Sequence, residues 1–131
     1  MKRILPLLLI VTLLLAGCTF PKPEVKANTY RKVSMQEAVE MMEKETGYII
    51  LDVRTQEEYA AGHIPGAIVI PNETIGTDEI PELPDKDQLI LVYCRSGNRS
   101  KQASAKLVEL GYTNVVEFGG INSWTGEIVT D

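Results

Sequence analysis

The chain has 131 residues, of which 44% are hydrophobic and 24% are charged, and it carries a formal net charge of −5. This size and balance suit one compact domain, and the acidic charge argues against nucleic-acid binding, which needs a basic surface. The sequence has two cysteines, one histidine and no cluster at metal-ligand spacing. We therefore expect neither a metal site nor a cofactor.

The N-terminal 17 residues have the pattern of a signal peptide. A positive start at Lys2 and Arg3 precedes an apolar stretch from Ile4 to Ala16, which is shorter than the ~20 residues that span a bilayer. The stretch runs into Leu-Ala-Gly-Cys, which resembles a bacterial lipobox and implies cleavage before Cys18 and lipid attachment to that cysteine. An uncleaved anchor, or an ordinary signal with an incidental cysteine, are the alternatives.

This interpretation divides the chain into three segments, which are a signal peptide (1–17), a lipidated tether (18–29) and a folded domain (30–131). The mature protein would be exported and anchored to the outer face of a cell membrane by its N-terminal lipid. Removing Lys2 and Arg3 from the 13 basic residues leaves 11 against 18 acidic ones, a net charge of −7. Lipid on Cys18 would leave Cys94 without a disulfide partner in the chain, so this free thiol calls for a functional explanation.

The folded part predicts strands that alternate with helices. Capping boxes begin at Ser34 and Thr55, each with a glutamate three residues later. The expected elements are a strand at 31–33, a helix from 34 that Gly47 ends, a strand at 48–53, a short helix at 55–61, a strand at 67–70, a strand at 89–93, a helix at 100–110, and a strand at 114–118 that Gly119 and Gly120 break. Such alternation predicts an α/β fold with a central parallel sheet of about five strands and helices on both faces.

The segment that says most about chemistry is a run of seven residues between a strand and a helix, namely Cys94, Arg95, Ser96, Gly97, Asn98, Arg99 and Ser100. The cysteine falls at the carboxyl end of a strand, where sheets of this class bind ligands. The amides and the dipole of the following helix, together with two arginines, favour an anion beside an exposed, ionised thiol. A buried, inert cysteine is the alternative.

Four motifs, in order, resemble those of the rhodanese family. They lie at 51–67 (LDVR, EY and GHIPGA), 93–100 (YCRSGNRS), 111–115 (GYTNV) and 119–124 (GGINSW). The resemblance covers residues 30–128 and implies a thiosulfate:acceptor sulfurtransferase. In that family the loop cysteine, here Cys94, takes a sulfane sulfur as a persulfide and gives it to a nucleophilic acceptor. The implied partners are a thiosulfate-like anionic donor and a thiol acceptor, either a small molecule or a protein.

The same resemblance implies binding roles for the rest of the loop. The amides from Arg95 to Ser100 would line the cradle, and the side chains of Arg95 and Arg99 would take the anionic end of the donor. Gly97 lets the backbone turn tightly. Related folds that cleave phosphate esters have C-x5-R where this chain has C-x4-R, which disfavours a phosphatase or an arsenate reductase. A sulfur carrier or protein-binding module with little turnover on free thiosulfate needs the same loop and stays open.

Three further polar residues are candidates for a supporting role near the pocket. Asp52 and Arg54 lie at the carboxyl end of a second strand, where an ion pair that braces the neighbouring loop is the favoured interpretation. His63 lies in a turn rich in glycine and proline, where we expect a hydrogen bond that fixes the turn. Trp124 is expected in the core or at its rim.

Overall fold

The computed structural model describes residues 29–131. The predicted signal peptide, Cys18 and the predicted tether up to residue 28 lie outside the described residues. Within residues 29–131, no helix combines the length and the apolar character needed to cross a membrane.

The described chain alternates strands with helices, as the sequence predicts. In order, the elements are β1 (Arg31–Lys32), α1 (Met35–Lys44), β2 (Ile49–Asp52), α2 (Gln56–Ala61), β3 (Ile68–Val69), β4 (Ile90–Cys94), α3 (Asn98–Glu109) and β5 (Val115–Gly120), with 3₁₀ turns at Asn72–Thr74 and Ile121–Ser123. All strand pairs are parallel, and the strand order is β1-β5-β4-β2-β3. The predicted five-stranded parallel α/β sheet is confirmed.

Two apolar layers enclose this sheet. On one face, Ala103 and Leu107 of α3 pack in a cluster with Val92 and Cys94 of β4. On the other face, Ala38 of α1 packs with residues of the three central strands, Ile50, Leu91 and Val116. Helices therefore cover both faces, which is why β4 is buried along its whole length.

The helix starts follow from local capping chemistry. The Ser34 hydroxyl accepts a hydrogen bond from the Glu37 amide, and Thr55 with Glu58 forms a complete capping box. The expectation that Gly47 ends α1 is wrong, because Glu45 already leaves the helical conformation and caps the helix.

The end of β5 differs from expectation in a way that shapes the site. We expected Gly119 and Gly120 to break the strand, but β5 runs through both glycines. Gly120 pairs with Cys94 after a register shift between Val92 and Cys94. The two glycines therefore lie beside the loop that follows β4.

Candidate active site

The loop after β4 holds the sulfur of Cys94 against main-chain amides. Gly97 adopts a left-handed conformation (φ 114°) at the N-cap of α3, which only glycine adopts freely. This turn lets the Gly97 amide donate a hydrogen bond to Cys94 Sγ at 3.0 Å. Because α3 begins at Asn98, its unsatisfied first-turn amides and the positive end of its dipole lie beside the sulfur.

The sulfur is less accessible than the sequence suggested. We expected an exposed thiol, but Cys94 is 1% exposed, so that expectation is wrong. Cys94 is the last residue of a fully buried strand, and its two hydrogen-bond partners, Gly97 and Ser100, are also buried. The sulfur therefore offers no open docking surface, and only a small protruding atom could reach it at the base of the loop.

The end of β5 braces this loop from behind. A Cβ atom built on Gly120 would collide with the carbonyl of Arg95 and lie 2.6 Å from the amide nitrogen of Ser96. The same carbonyl accepts a hydrogen bond from the Asn122 amide at 3.2 Å. The backbone of the loop and that of β5 thus approach too closely for any side chain at position 120.

The remaining loop side chains divide into exposed and paired ones. Arg95, Ser96 and Asn98 are exposed, and Arg95 has no ion pair within residues 29–131. Arg99 is half-buried, and its guanidinium donates to both carboxylate oxygens of Glu58, at 2.6 and 3.0 Å. This hydrogen-bonded pair raises the pKa of Arg99 and lowers the pKa of Glu58 to about 2. A role for either arginine in donor binding stays a prediction.

Asp52 and Arg54 form a buried network that, within residues 29–131, has no hydrogen bond or ion pair to the Cys94–Ser100 loop. Arg54 Nη2 lies 2.7 Å from Asp52 Oδ2 and also donates to the Gly62 carbonyl at 2.7 Å. The Tyr93 hydroxyl donates to the same carboxylate at 2.7 Å and accepts from the Ile64 amide. The expected bracing ion pair is present, and it joins β2 to β4 and to the turn after α2.

His63 supports the same turn. Its Nδ1 lies 2.8 Å from the Tyr59 carbonyl, and its ring stacks on the Tyr59 ring at 3.7 Å between centroids. Its backbone pairs with Val129. The hydrogen bond expected of His63 is therefore present. Trp124 is partly buried and packs against the core cluster that includes Ala38, as expected.

Two glutamates were missed as site residues. Glu58 was recognised as a capping residue and as part of the EY motif, but not as the partner of Arg99. Glu117 on β5 is fully buried, and its Oε1 accepts from the Ser100 hydroxyl at 2.6 Å and from the Gly119 amide at 2.9 Å. The sequence could have indicated a role for Glu117, because it stands between valine and phenylalanine in a short apolar strand. A glutamate in such a strand is seldom buried without a specific partner. Residues 29–131 contain no group of three or more His, Cys, Asp or Glu side chains able to hold a metal ion.

The fold and this loop together define a parallel α/β domain built around a cysteine at a helix N-terminus. Residues 34–127 match the family model of the rhodanese-like domain, and the chain belongs to that family. The comparisons support rhodanese-type sulfurtransferase activity.

Curated relatives and solved structures agree with the family. The chain is 41% identical over 71 residues to thiosulfate sulfurtransferase PspE of Escherichia coli K12, covering 54% of this chain and 68% of the relative. It is 43% identical over 77 residues to a sulfurtransferase of Allochromatium vinosum, covering 58% and 70%. The structure of a rhodanese with anions from E. coli superimposes with a TM-score of 0.58 at 36% identity, covering 64% of this chain and 99% of that one.

Proposed function

We propose that this protein moves sulfane sulfur from a thiosulfate-like donor to a thiol or other nucleophilic acceptor through a persulfide on Cys94. The observation that carries the proposal is the 3.0 Å hydrogen bond from the Gly97 amide to Cys94 Sγ at the start of α3. That geometry stabilises negative charge on the sulfur, and a thiolate is the nucleophile that the reaction needs.

The proposed reaction has two balanced steps. In the first, the Cys94 thiolate attacks the sulfane sulfur of thiosulfate, a new S–S bond forms, and the S–S bond of the donor breaks as sulfite leaves with the electron pair. In the second, a thiolate or cyanide attacks the outer sulfur of the persulfide, and Cys94 leaves as a thiolate again. No external oxidant or reductant is needed, because the donor is reduced to sulfite as the acceptor is oxidised by the transferred sulfur, and the charge balances in each step.

The charges around the loop support an anionic donor. Arg95, the residue after Cys94, is exposed and has no ion pair within the described chain, and the first-turn amides of α3 add partial positive charge. Local positive potential is needed because the whole chain carries a net charge of −5. One relative of the family, the E. coli rhodanese, was solved with anions, which is consistent with an anion-binding loop in this family.

The N-terminal sequence supports a lipid anchor and an extracytoplasmic location as a further part of the proposal. With Cys18 used for lipid, no second cysteine in the chain could accept the sulfur or resolve an oxidised Cys94, so the acceptor must be an external nucleophile such as a thiol. Labelling of the protein with radioactive palmitate in a bacterial host tests the anchor. The label should disappear in Cys18→Ala, and an unlabelled wild-type protein would contradict the anchor alone.

Intact-mass measurement after exposure to thiosulfate tests the sulfur transfer. We expect one added sulfur on the wild-type protein and on Cys18→Ser, none on Cys94→Ser, and removal of that sulfur by cyanide or a small thiol. Loading from a protein persulfide but not from thiosulfate would favour the carrier function. Failure to load from either donor, in protein shown to be folded, would overturn the proposal.

A further inference from the structure

A chain of hydrogen bonds leads from Cys94 away from the loop into the protein interior. Cys94 Sγ lies 3.4 Å from Ser100 Oγ, and Ser100 Oγ lies 2.6 Å from Glu117 Oε1. All three residues are buried, with exposures of 1%, 0% and 0%. The sulfur is therefore in hydrogen-bond contact, through one hydroxyl, with a carboxyl group that has no route to solvent.

The hydroxyl of Ser100 has a single proton, which limits the directions that the hydrogen bonds between Cys94, Ser100 and Glu117 can take. Its oxygen approaches three acceptors, Glu117 Oε1 at 2.6 Å and the carbonyls of Gly97 and Gly119 at 2.9 and 3.4 Å. The carboxyl oxygen is the nearest of the three. When the proton points to Glu117, the oxygen of Ser100 can only accept from Cys94, so the thiol is protonated in that arrangement.

The surroundings of Glu117 favour a carboxyl group that takes up a proton. An ionised carboxylate is an acceptor with about four lone-pair sites, and the structure supplies partners for one oxygen. Oε1 has two donors, Ser100 and Gly119, whereas Oε2 is buried without a hydrogen-bond partner in residues 29–131. A buried charge with an unpaired oxygen is costly, and protonation removes that cost.

We propose that Glu117 is a positioning residue that holds the proton of Cys94 through Ser100. The thiol proton passes to the Ser100 oxygen as the Ser100 proton passes to Glu117 Oε1. Cys94 becomes a thiolate that accepts from the hydroxyl, and Glu117 becomes a neutral acid that donates to it. The pair keeps one negative charge throughout, and no proton enters from solvent. The relay rests on the proposed function, in which Cys94 attacks as a thiolate.

Few other charges bear on this pair. Cys94 on β4 is the titratable group joined to Glu117 by hydrogen bonds. Lys32 on β1 is opposite Glu117 in the strand register and is exposed. On the loop and α3, Arg95 is exposed and Arg99 is bound to Glu58. The buried carboxyl group of Glu117 therefore has no ion-pair partner in the described chain. Taking the proton of the Cys94 thiol is the main way in which it can lose its charge.

The relay and a simple charge effect predict opposite results when the carboxyl group is removed. If Glu117 acted only as a fixed negative charge, Glu117→Gln would favour the Cys94 thiolate at every pH, since like charges repel. If Glu117 holds the thiol proton, the neutral acid donates to the Ser100 oxygen and turns the Ser100 hydroxyl towards the thiolate. A glutamine whose amide oxygen takes the place of Oε1 beside the Gly119 amide can only accept from Ser100, so the thiolate loses that hydrogen bond. The variant would then contain less thiolate than the wild type below neutral pH.

The test measures thiolate absorbance in the ultraviolet between about pH 4 and pH 10. Each full-length protein is read against its own Cys94→Ser counterpart, which cancels the absorbance of the tyrosines and of Cys18. Absorbance needs no reagent, so the burial of the sulfur does not affect the signal. In the wild type we expect two steps, as for a coupled pair. In Glu117→Gln we expect a single step at higher pH, with about tenfold less thiolate near pH 6. The infrared band of the protonated carboxyl group should persist through the first thiolate step, disappear with the second step, and be absent from Glu117→Gln.

Ser100→Ala breaks the same series of hydrogen bonds and should give the same single titration step, which keeps the test decisive if Glu117→Gln does not fold. The matched control is Ser104→Ala, one turn along α3. It removes another fully buried hydroxyl, and this one has no hydrogen-bond partner in the described residues. The control should keep the wild-type profile. More thiolate in Glu117→Gln, or an unchanged profile in both relay variants, overturns the relay. These measurements use no sulfur donor, so a two-step profile in a protein that never forms a persulfide would refute the proposed function and leave the relay intact.

Discussion

The guanidinium of Arg99 is held by the carboxylate of Glu58 through two hydrogen bonds of 2.6 and 3.0 Å. The pair links the first turn of α3 to α2, across 41 residues of sequence. It has two consequences. The charge of one loop arginine is largely neutralised beside the sulfur, and the position of that arginine is fixed.

Glu58→Gln tests the first consequence. Glutamine preserves the capping interaction with Thr55 but leaves the Arg99 charge uncompensated, so the positive potential at the loop rises. For an anionic donor we expect KM to fall about threefold and to depend more steeply on ionic strength. Steady-state kinetics with thiosulfate at several salt concentrations measure both effects.

Two companion variants fix the interpretation of Glu58→Gln. Glu57→Gln removes one negative charge from the exposed neighbouring position and should change KM much less. Arg99→Ala should raise KM while leaving kcat nearly unchanged. A higher KM in Glu58→Gln would mean that Glu58 serves donor binding by positioning Arg99 rather than by opposing its charge.

The same pair predicts how stability depends on pH. The hydrogen bond from Arg99 lowers the folded-state pKa of Glu58 to about 2, from 4.5. A lowered pKa means that the ionised carboxylate contributes stability that is complete above about pH 5 and is lost as the pH falls towards 2. Both side chains are about a quarter exposed, 26% and 29%, so solvent screening reduces the contribution to about 1 kcal/mol.

Urea unfolding of wild type and Glu58→Gln at a series of pH values measures that contribution. The wild type should be more stable by about 1 kcal/mol above pH 5, and the difference should shrink towards zero near pH 2. The difference in unfolding free energy between the two proteins cancels the contributions of the other acid-sensitive groups, which both proteins share. A gap that stays constant with pH would show that the ion pair is not its source.

Asp52→Asn tests whether the buried network is structural. The substitution leaves the guanidinium of Arg54 buried without its counter-charge, which costs about 3 kcal/mol. Because neither residue has a hydrogen bond or ion pair to the Cys94 loop in the described chain, we expect kcat/KM per folded molecule to stay within about twofold of wild type. Chemical denaturation and thiosulfate kinetics measure the two effects. Asp78→Asn, at an exposed position, is the control, and a normal stability with lost activity would place Asp52 in the reaction instead.

Local chemistry explains what the sequence could predict. Three of the predicted features depend on residues that are neighbours in sequence, so their spacing reveals them. They are the capping box at Thr55, the Asp52–Arg54 pair two residues apart, and the strand–loop–helix around Cys94. The apolar runs likewise identify the strands, and their alternation with helices restricts the sheet to parallel pairing.

The interactions that the sequence did not reveal join distant segments. Ser100 and Glu117 are 17 residues apart and lie on different elements, and Glu58 reaches Arg99 only because α2 lies beside the start of α3. The exposure of Cys94 was misjudged for the same reason, since it depends on how Gly97, Ser100 and the end of β5 pack around the sulfur. Propensity and spacing contain no information on such packing.

Gly120→Ala tests how strictly the loop depends on its contact with β5. The added methyl group would collide with the Arg95 carbonyl and approach the Ser96 amide, and both are backbone atoms that cannot move without moving the loop. We expect a loss of about 2 kcal/mol in stability and about 100-fold in kcat/KM, since small displacements of a reacting group are that costly. Gly76→Ala is the matched control, because a methyl group there meets open space and its backbone angles suit any residue. Kinetics at a temperature where both variants are fully folded separate the effect on activity from the effect on stability. Wild-type activity in Gly120→Ala would show that the loop tolerates displacement and that its close support by β5 is not needed for sulfur transfer.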